Sequence, residues 1–134
     1  QKLDIIKKLL KYKTYQDYLG LENFQDYISI PQKYACDDIY LTEKIISEQL
    51  SNSTSRIFLL GVGHVKSALI HRLPKYKNAI YLDVGSSIDA IAGMIDINRP
   101  FFGNWTNFRL NDESLYNGID YLGYSKEGKH IYLA

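Results

Sequence analysis

The stretch from Arg56 to Met94, RIFLLGVGHVKSALIHRLPKYKNAIYLDVGSSIDAIAGM, constrains the fold more than any other part of the chain. It reads as strand, glycine turn, helix, strand, glycine turn, helix. Ile57-Phe58-Leu59-Leu60 is a continuous apolar run, the pattern of a strand buried on both faces of a parallel sheet. Gly61 and Gly63 then permit a tight turn with exposed backbone N–H groups. The helix that follows turns Val65, Leu69 and Leu73 inward, Ala68 lets it approach the sheet, and Pro74 stops it. His71 and Arg72 fall in its last turn, where positive charge is favoured. A second strand, Ala79 to Leu82, carries Asp83 to its carboxyl end. Ser86 then serves as an N-cap with Asp89 three positions on, and Ile88, Ile91, Ala92 and Ile95 share one helical face.

A crossover between parallel strands brings both glycine turns to the same carboxyl edge, where open α/β sheets bind their ligands. Two helix N-termini at that edge would aim N–H groups at a phosphate or carboxylate. His64 and Asp83 are the candidate catalytic groups. His64 stands on the first turn beside the crevice, as a general base or a phosphate contact, or simply as a hydrogen-bonded turn residue. Asp83 offers acid–base chemistry or an acceptor for ribose or sugar hydroxyls. Gly61, Gly63, Lys66, Gly85, Ser86, Ser87 and Asp89 are the candidate ligand contacts along the two turns. Ordinary helix surface explains Lys66 equally well, and capping alone explains much of the Ser86–Asp89 pair. Farther on, Trp105 with Arg99, Phe101, Phe102 and Arg109 forms either a stacking wall for a base or sugar, with arginines for diphosphate, or a small core closing the sheet edge.

Standard fingerprints match only in part. Gly61-Val62-Gly63-His64-Val65-Lys66 has the first two glycines of a dinucleotide motif, with Lys66 in place of the third; Asp83 follows Gly63 at a spacing that suits a ribose contact. No phosphate-binding loop of the GxxxxGK[ST] kind and no GxSxG nucleophile elbow is present. The histidines, His64, His71 and His130, lack metal-ligand spacing, and one cysteine makes no zinc pattern with them, so no metal ligand is assigned. His71 and His130 read as structural or solvent-exposed.

The rest of the chain supports a single α/β domain, in which residues 1–55 are a mostly helical lead-in and 56–134 the Rossmann-like unit. Leu3, Ile6 and Leu10 make one helical stripe, with Lys7, Lys8 and Lys11 mainly opposite, a basic face that is solvated or meets an acidic partner. Residues 14–28 are short helix and loop. Asp37 and Asp38 precede a helix in which Ile39, Ile46 and Leu50 share a face; as a pair they suggest metal or acid–base work, and as helix caps they need neither. Ser51 to Ser55 is a polar linker that ends that helix. Ile119–Tyr124 and His130–Leu133 are strand-like and joined around Gly128 as a hairpin.

Composition excludes several classes. A net charge of +1 argues against a nucleic-acid surface built on bulk charge. No apolar run approaches the ~20 residues needed to span a bilayer. Cys36 alone rules out an internal disulfide framework and fits a reducing compartment, so the expected location is cytoplasmic. Without a secretory signal the sequons at Asn52 and Asn104 read as chance. The chain starts at Gln1, which suggests an excerpt of a longer protein. Twelve tyrosines supply amphipathic rings for packing or for stacking a ligand.

Over roughly a third of its length the chain resembles the carboxyl-terminal portion of glycosyltransferase-like proteins of the GT-D type. The residues that carry the likeness are Gly61, Gly63, Asp83, Val84, Gly85, Ser86, Asp89 and Gly93. The resemblance implies a Rossmann-like fold and transfer of a sugar from a nucleotide-sugar donor. It also implies a divalent metal such as Mn²⁺ or Mg²⁺, held by an Asp-x-Glu motif in the amino-terminal part. This chain has no Asp-x-Glu, and Asp37-Asp38 is its nearest acidic feature. Tyr81-Leu82-Asp83-Val84-Gly85-Ser86 is also similar to the opening motif of class I methyltransferases, with serines where a further glycine is usual. The alternatives are therefore an S-adenosylmethionine-dependent methyltransferase-like domain, or a non-catalytic interaction domain that keeps the fold.

Overall fold

A computed structural model describes residues 2–30, 35–94 and 110–121. The chain divides into two compact units, residues 24–86 and residues 1–23 with 87–134.

In the unit of residues 24–86, helix formation starts at a cap. Asp38 adopts extended backbone and its carboxylate accepts a hydrogen bond from Leu41 N at 2.8 Å, satisfying one of the orphan amides of the first turn. The helix it opens, α3, spans Ile39–Asn52 and buries Thr42, Ile46 and Leu50 in one row. Thr42 is tolerated there because its hydroxyl donates to Ala35 O at 3.0 Å. The helix runs two residues into the expected polar linker. Ser51 Oγ donates to Ser47 O and Asn52 Nδ2 to Glu48 O, so these side chains bond the preceding turn rather than break it.

Strand β1 (Ile57–Leu60) pairs in parallel with β2 (Ile80–Asp83), in the register Ile57↔Ile80 through Leu60↔Asp83. Between them lie a 3₁₀ turn at Gly63–Val65, the short helix α4 (Lys66–Leu69) and a second 3₁₀ turn at Leu73–Lys75. The inward residues are those expected, since Val65, Leu69 and Leu73 are all buried. The single helix is not: the segment is three short pieces, and Pro74, which has no N–H for the ladder, falls in the last of them. With Ala35, Ile46 and Leu50 these residues form the core, and Phe58, Leu60 and Tyr81 pack against it from one face of the sheet. The Phe58 and Tyr81 rings stack at 5.4 Å.

The other face corrects the expectation of strands buried on both sides. Ile57, Leu59, Ile80 and Leu82 remain 36–57% exposed. The period-2 alternation of a strand puts these four side chains together, and the core built by α3 and α4 covers only the opposite face.

In the second unit, α1 (Lys2–Leu9) buries Ile5, Ile6 and Leu9, and α2 (Lys13–Leu19) ends at Gly20, whose φ of +67° suits a left-handed C-cap. Helix α5 (Ser87–Ile91) is shorter than its apolar pattern suggests. Gly93, at φ +68°, closes it, and Ile88 and Ile91 are only half-buried, although Ala92 is fully covered; Ile95 lies outside the described residues. Two tyrosine hydroxyls satisfy the carbonyls of its last turn: Tyr15 donates to Ile91 O, and Tyr121 to Ala92 O at 2.7 Å. A 3₁₀ turn at Glu113–Tyr116 is capped by Asp112, which accepts from Ser114 N. The strand expected from Ile119 is not formed over its described part. Ile119 N donates to Tyr116 O, and Tyr121 N to Ile119 O, a local pattern that leaves nothing for a ladder. Residues 122–134, with the rest of the expected hairpin, lie outside the described residues.

The fold is thus mixed helix and strand, with a small two-stranded parallel sheet. No helix among the described residues is long and apolar enough to cross a membrane.

Candidate ligand-binding edge of the sheet

Parallel pairing places the turns that follow β1 and β2 side by side, as the sequence implied. After β1, Gly63 takes φ +64° with open space where a Cβ would stand, so the backbone can turn sharply there. His64 is exposed on that turn. The amides of Gly63 and His64 meet no acceptor among the described residues. Lys66, on the first turn of α4, reaches across and its Nζ pairs with Asp83 Oδ2 at 2.6 Å. The two side chains are 31% and 36% exposed, so the pair is open to water and ions.

The second turn is more committed. Val84 N and Gly85 N both donate to Leu60 O at 3.0 Å, and Gly85 N also meets Asp83 Oδ1 at 3.0 Å. These bonds fasten the turn to the end of β1 and commit the Val84 and Gly85 amides there. The helix after the first turn, α4, has four residues and carries too few aligned peptide units for a strong dipole at this edge. The Lys66 ammonium and the first turn are open to an anion.

Asp83 is held below the usual carboxylate range, first by its hydrogen bond from Lys66, with the Gly85 amide adding to it against the cost of burial. A carboxylate stabilised as the anion is a poor general base at neutral pH. Its chemistry here is that of an acceptor and counter-ion.

Gly61, Gly63, His64, Lys66, Asp83, Gly85 and Ser86 all belong to the unit of residues 24–86. Ser87 and Asp89 belong to the other unit. Ser87 is exposed at the start of α5. Asp89 pairs with Lys2, and both side chains are largely covered, at 18% and 14% exposure. The approach is an ion pair by distance but lacks hydrogen-bond geometry, so Asp89 Oδ1 has no hydrogen-bond donor among the described residues. Asp89 is thus engaged within its own unit. Arg99, Trp105 and His130 lie outside the described residues. His71 is exposed.

The acidic pair near α3 does not fit the metal site that the resemblance implies. Asp38 is spent on its cap, Asp37 is exposed, and no three His, Cys, Asp or Glu side chains gather for a metal ion among the described residues.

Two polar clusters escaped the sequence reading. Asp26 accepts from Ser53 Oγ at 2.5 Å and Ser55 Oγ at 2.6 Å, while Lys77 Nζ donates to Ser53 O at 2.7 Å. The two hydroxyls hold the Asp26 carboxyl below its usual range. Glu43 accepts from Tyr76 OH and from Arg72 Nη1, both at 2.8 Å, and is lowered first by the tyrosine and then by the arginine. Partners separated by 24 to 33 residues leave no local signal. Comparison with known proteins returns no matching family model, no matching curated protein and no matching solved structure.

Proposed function

We propose that the carboxyl edge of β1 and β2 binds the phosphates of a nucleotide-sugar, as part of a glycosyltransferase on a Rossmann-like fold. The observation that carries this reading is the Lys66–Asp83 pair spanning two glycine turns at the ends of adjacent parallel strands. An ammonium suits a phosphate as a mobile point charge. The Gly63 and His64 amides extend the contact along the first turn, and the exposed His64 imidazole adds a donor or a proton acceptor beside it. Asp83 and Ser86 supply acceptors for ribose or sugar hydroxyls. No step is assigned to a metal.

Calorimetric titration of the chain with UDP- and GDP-sugars, with and without Mn²⁺, tests the reading. Saturable binding is expected, weakened about tenfold or more in Lys66→Met, as loss of one charge-assisted hydrogen bond implies. A folded protein that gives no heat with any nucleotide overturns it. Heat with S-adenosylmethionine alone would move the assignment to the methyltransferase class.

A further inference from the structure

Lys66 already has a partner, and that partner is an anion. Asp83 Oδ2 occupies the space at 2.6 Å from Nζ where a phosphate oxygen would sit. Its other oxygen is anchored by the Gly85 amide, which is itself fixed to Leu60 O, so the carboxylate is held in position by the rigid second turn. Lys66 stands on a four-residue helix and has a long side chain free to swing. The exposure of both groups makes the pair weak enough to open.

We infer that Asp83 is the resident counter-ion of Lys66, displaced when a phosphate enters, and that it sets the affinity of the edge for anions rather than transferring a proton. The inference rests on the phosphate-binding reading of this edge and deepens it. Asp83 then plays two parts in sequence. In the free protein it neutralises Lys66 and keeps the edge from collecting stray anions. When Lys66 turns to a phosphate, the released carboxylate oxygen becomes an acceptor for a hydroxyl of the same ligand. A ligand with phosphate and hydroxyl together therefore gains from the exchange, whereas a bare phosphate loses the carboxylate contact and meets its repulsion.

Inorganic pyrophosphate is the probe, because it carries the charge and no hydroxyl. In calorimetry on the full chain, Asp83→Asn should bind it about three- to fivefold tighter than the wild type, the scale of an exposed ion pair. The same substitution in a Lys66→Met background should tighten binding by less, because only the repulsion of the carboxylate is then relieved. A second measurement needs no variant. Saturating pyrophosphate should move the Asp83 carboxyl titration, followed by carbon NMR, upward toward the ordinary carboxylate range. Wild-type binding of pyrophosphate with neither the tightening nor the titration shift overturns the counter-ion role and leaves the phosphate-binding reading intact. No pyrophosphate binding by the folded wild type or by Asp83→Asn overturns both.

Discussion

At the scale of single residues, the tyrosines and one glycine explain each other. Tyr15 and Tyr121 donate to consecutive carbonyls at the end of α5, Tyr116 OH accepts from Leu110 N, and Tyr81 OH donates to Lys77 O. In each case the ring is buried or half-buried and the hydroxyl meets a backbone group, which is how a tyrosine enters a core without an unsatisfied polar atom. Packing, one of the two roles open from the sequence, is what these four rings perform. Gly93 is the residue that Tyr116 and Tyr121 require: a Cβ there would stand 2.7 Å from Tyr116 Cε1 and 2.9 Å from Tyr121 OH, at a φ of +68°. Gly20 has nearly the same φ, +67°, with nothing within 4 Å of its Cβ position. Gly20→Ala should therefore cost about 1 kcal/mol of backbone strain alone, and Gly93→Ala about 2–4 kcal/mol through strain and overpacking together. Urea unfolding of the two variants gives the difference. Equal losses would mean that the tyrosine cage around Gly93 is not packed as described.

At the scale of elements, what the sequence specified was local chemistry. The start of α3 is the clearest case, because Asp38 sits where a cap is needed and its carboxylate meets Leu41 N. Asp38→Ala should lower stability by about 0.5–2 kcal/mol, and Asp37→Ala, exposed and outside the cap, by much less. Thermal melts decide it; a larger loss at Asp37 would remove the capping account and reopen the acidic pair as a site. The inward positions Val65, Leu69 and Leu73 were legible from spacing, and the parallel pairing of β1 with β2 from the crossover between them. Extents were not. Helix α3 gained two residues, where Ser51 and Asn52 bond back to the preceding turn, and the segment after β1 is three short pieces in place of one helix. The apolar run Ile57–Leu60 reads identically whether one face or two are covered, so its exposed face had no signature. The candidate edge shows the same division. Glycine turns mark where Asp83 and Lys66 stand, but only the three-dimensional register reveals that they neutralise each other.

At the scale of the molecule, the formal charge of +1 means that little self-repulsion accumulates near neutrality, so pH acts through individual groups. Three carboxyls are held low in the folded chain: Asp26 by the hydroxyls of Ser53 and Ser55, Glu43 by Tyr76 and Arg72, and Asp83 by Lys66. Each contributes stability that is fully present above the ordinary carboxylate value of about 4 and is lost as pH falls through its lowered folded value. Three tyrosines act with the opposite sign. Burial raises Tyr27 and Tyr81, and the bond to Glu43 raises Tyr76, so their contribution is present below about pH 10 and lost as pH rises through the raised values. All six groups lie between residues 24 and 86, the unit that also carries the candidate edge. Stability should therefore form a plateau between about pH 5 and pH 9 with two falling limbs, each with its own chemical origin. Urea midpoints measured from pH 2.5 to pH 11 trace the curve. The combined variant Asp26→Asn, Glu43→Gln, Asp83→Asn should be weaker on the plateau and flatter on the acid limb, while its alkaline fall persists through Tyr27 and Tyr81, whose shifts do not depend on those carboxyls. An acid limb as steep in the variant as in the wild type would place the proton uptake elsewhere in the chain, and the three pairings would then be contacts without energetic weight.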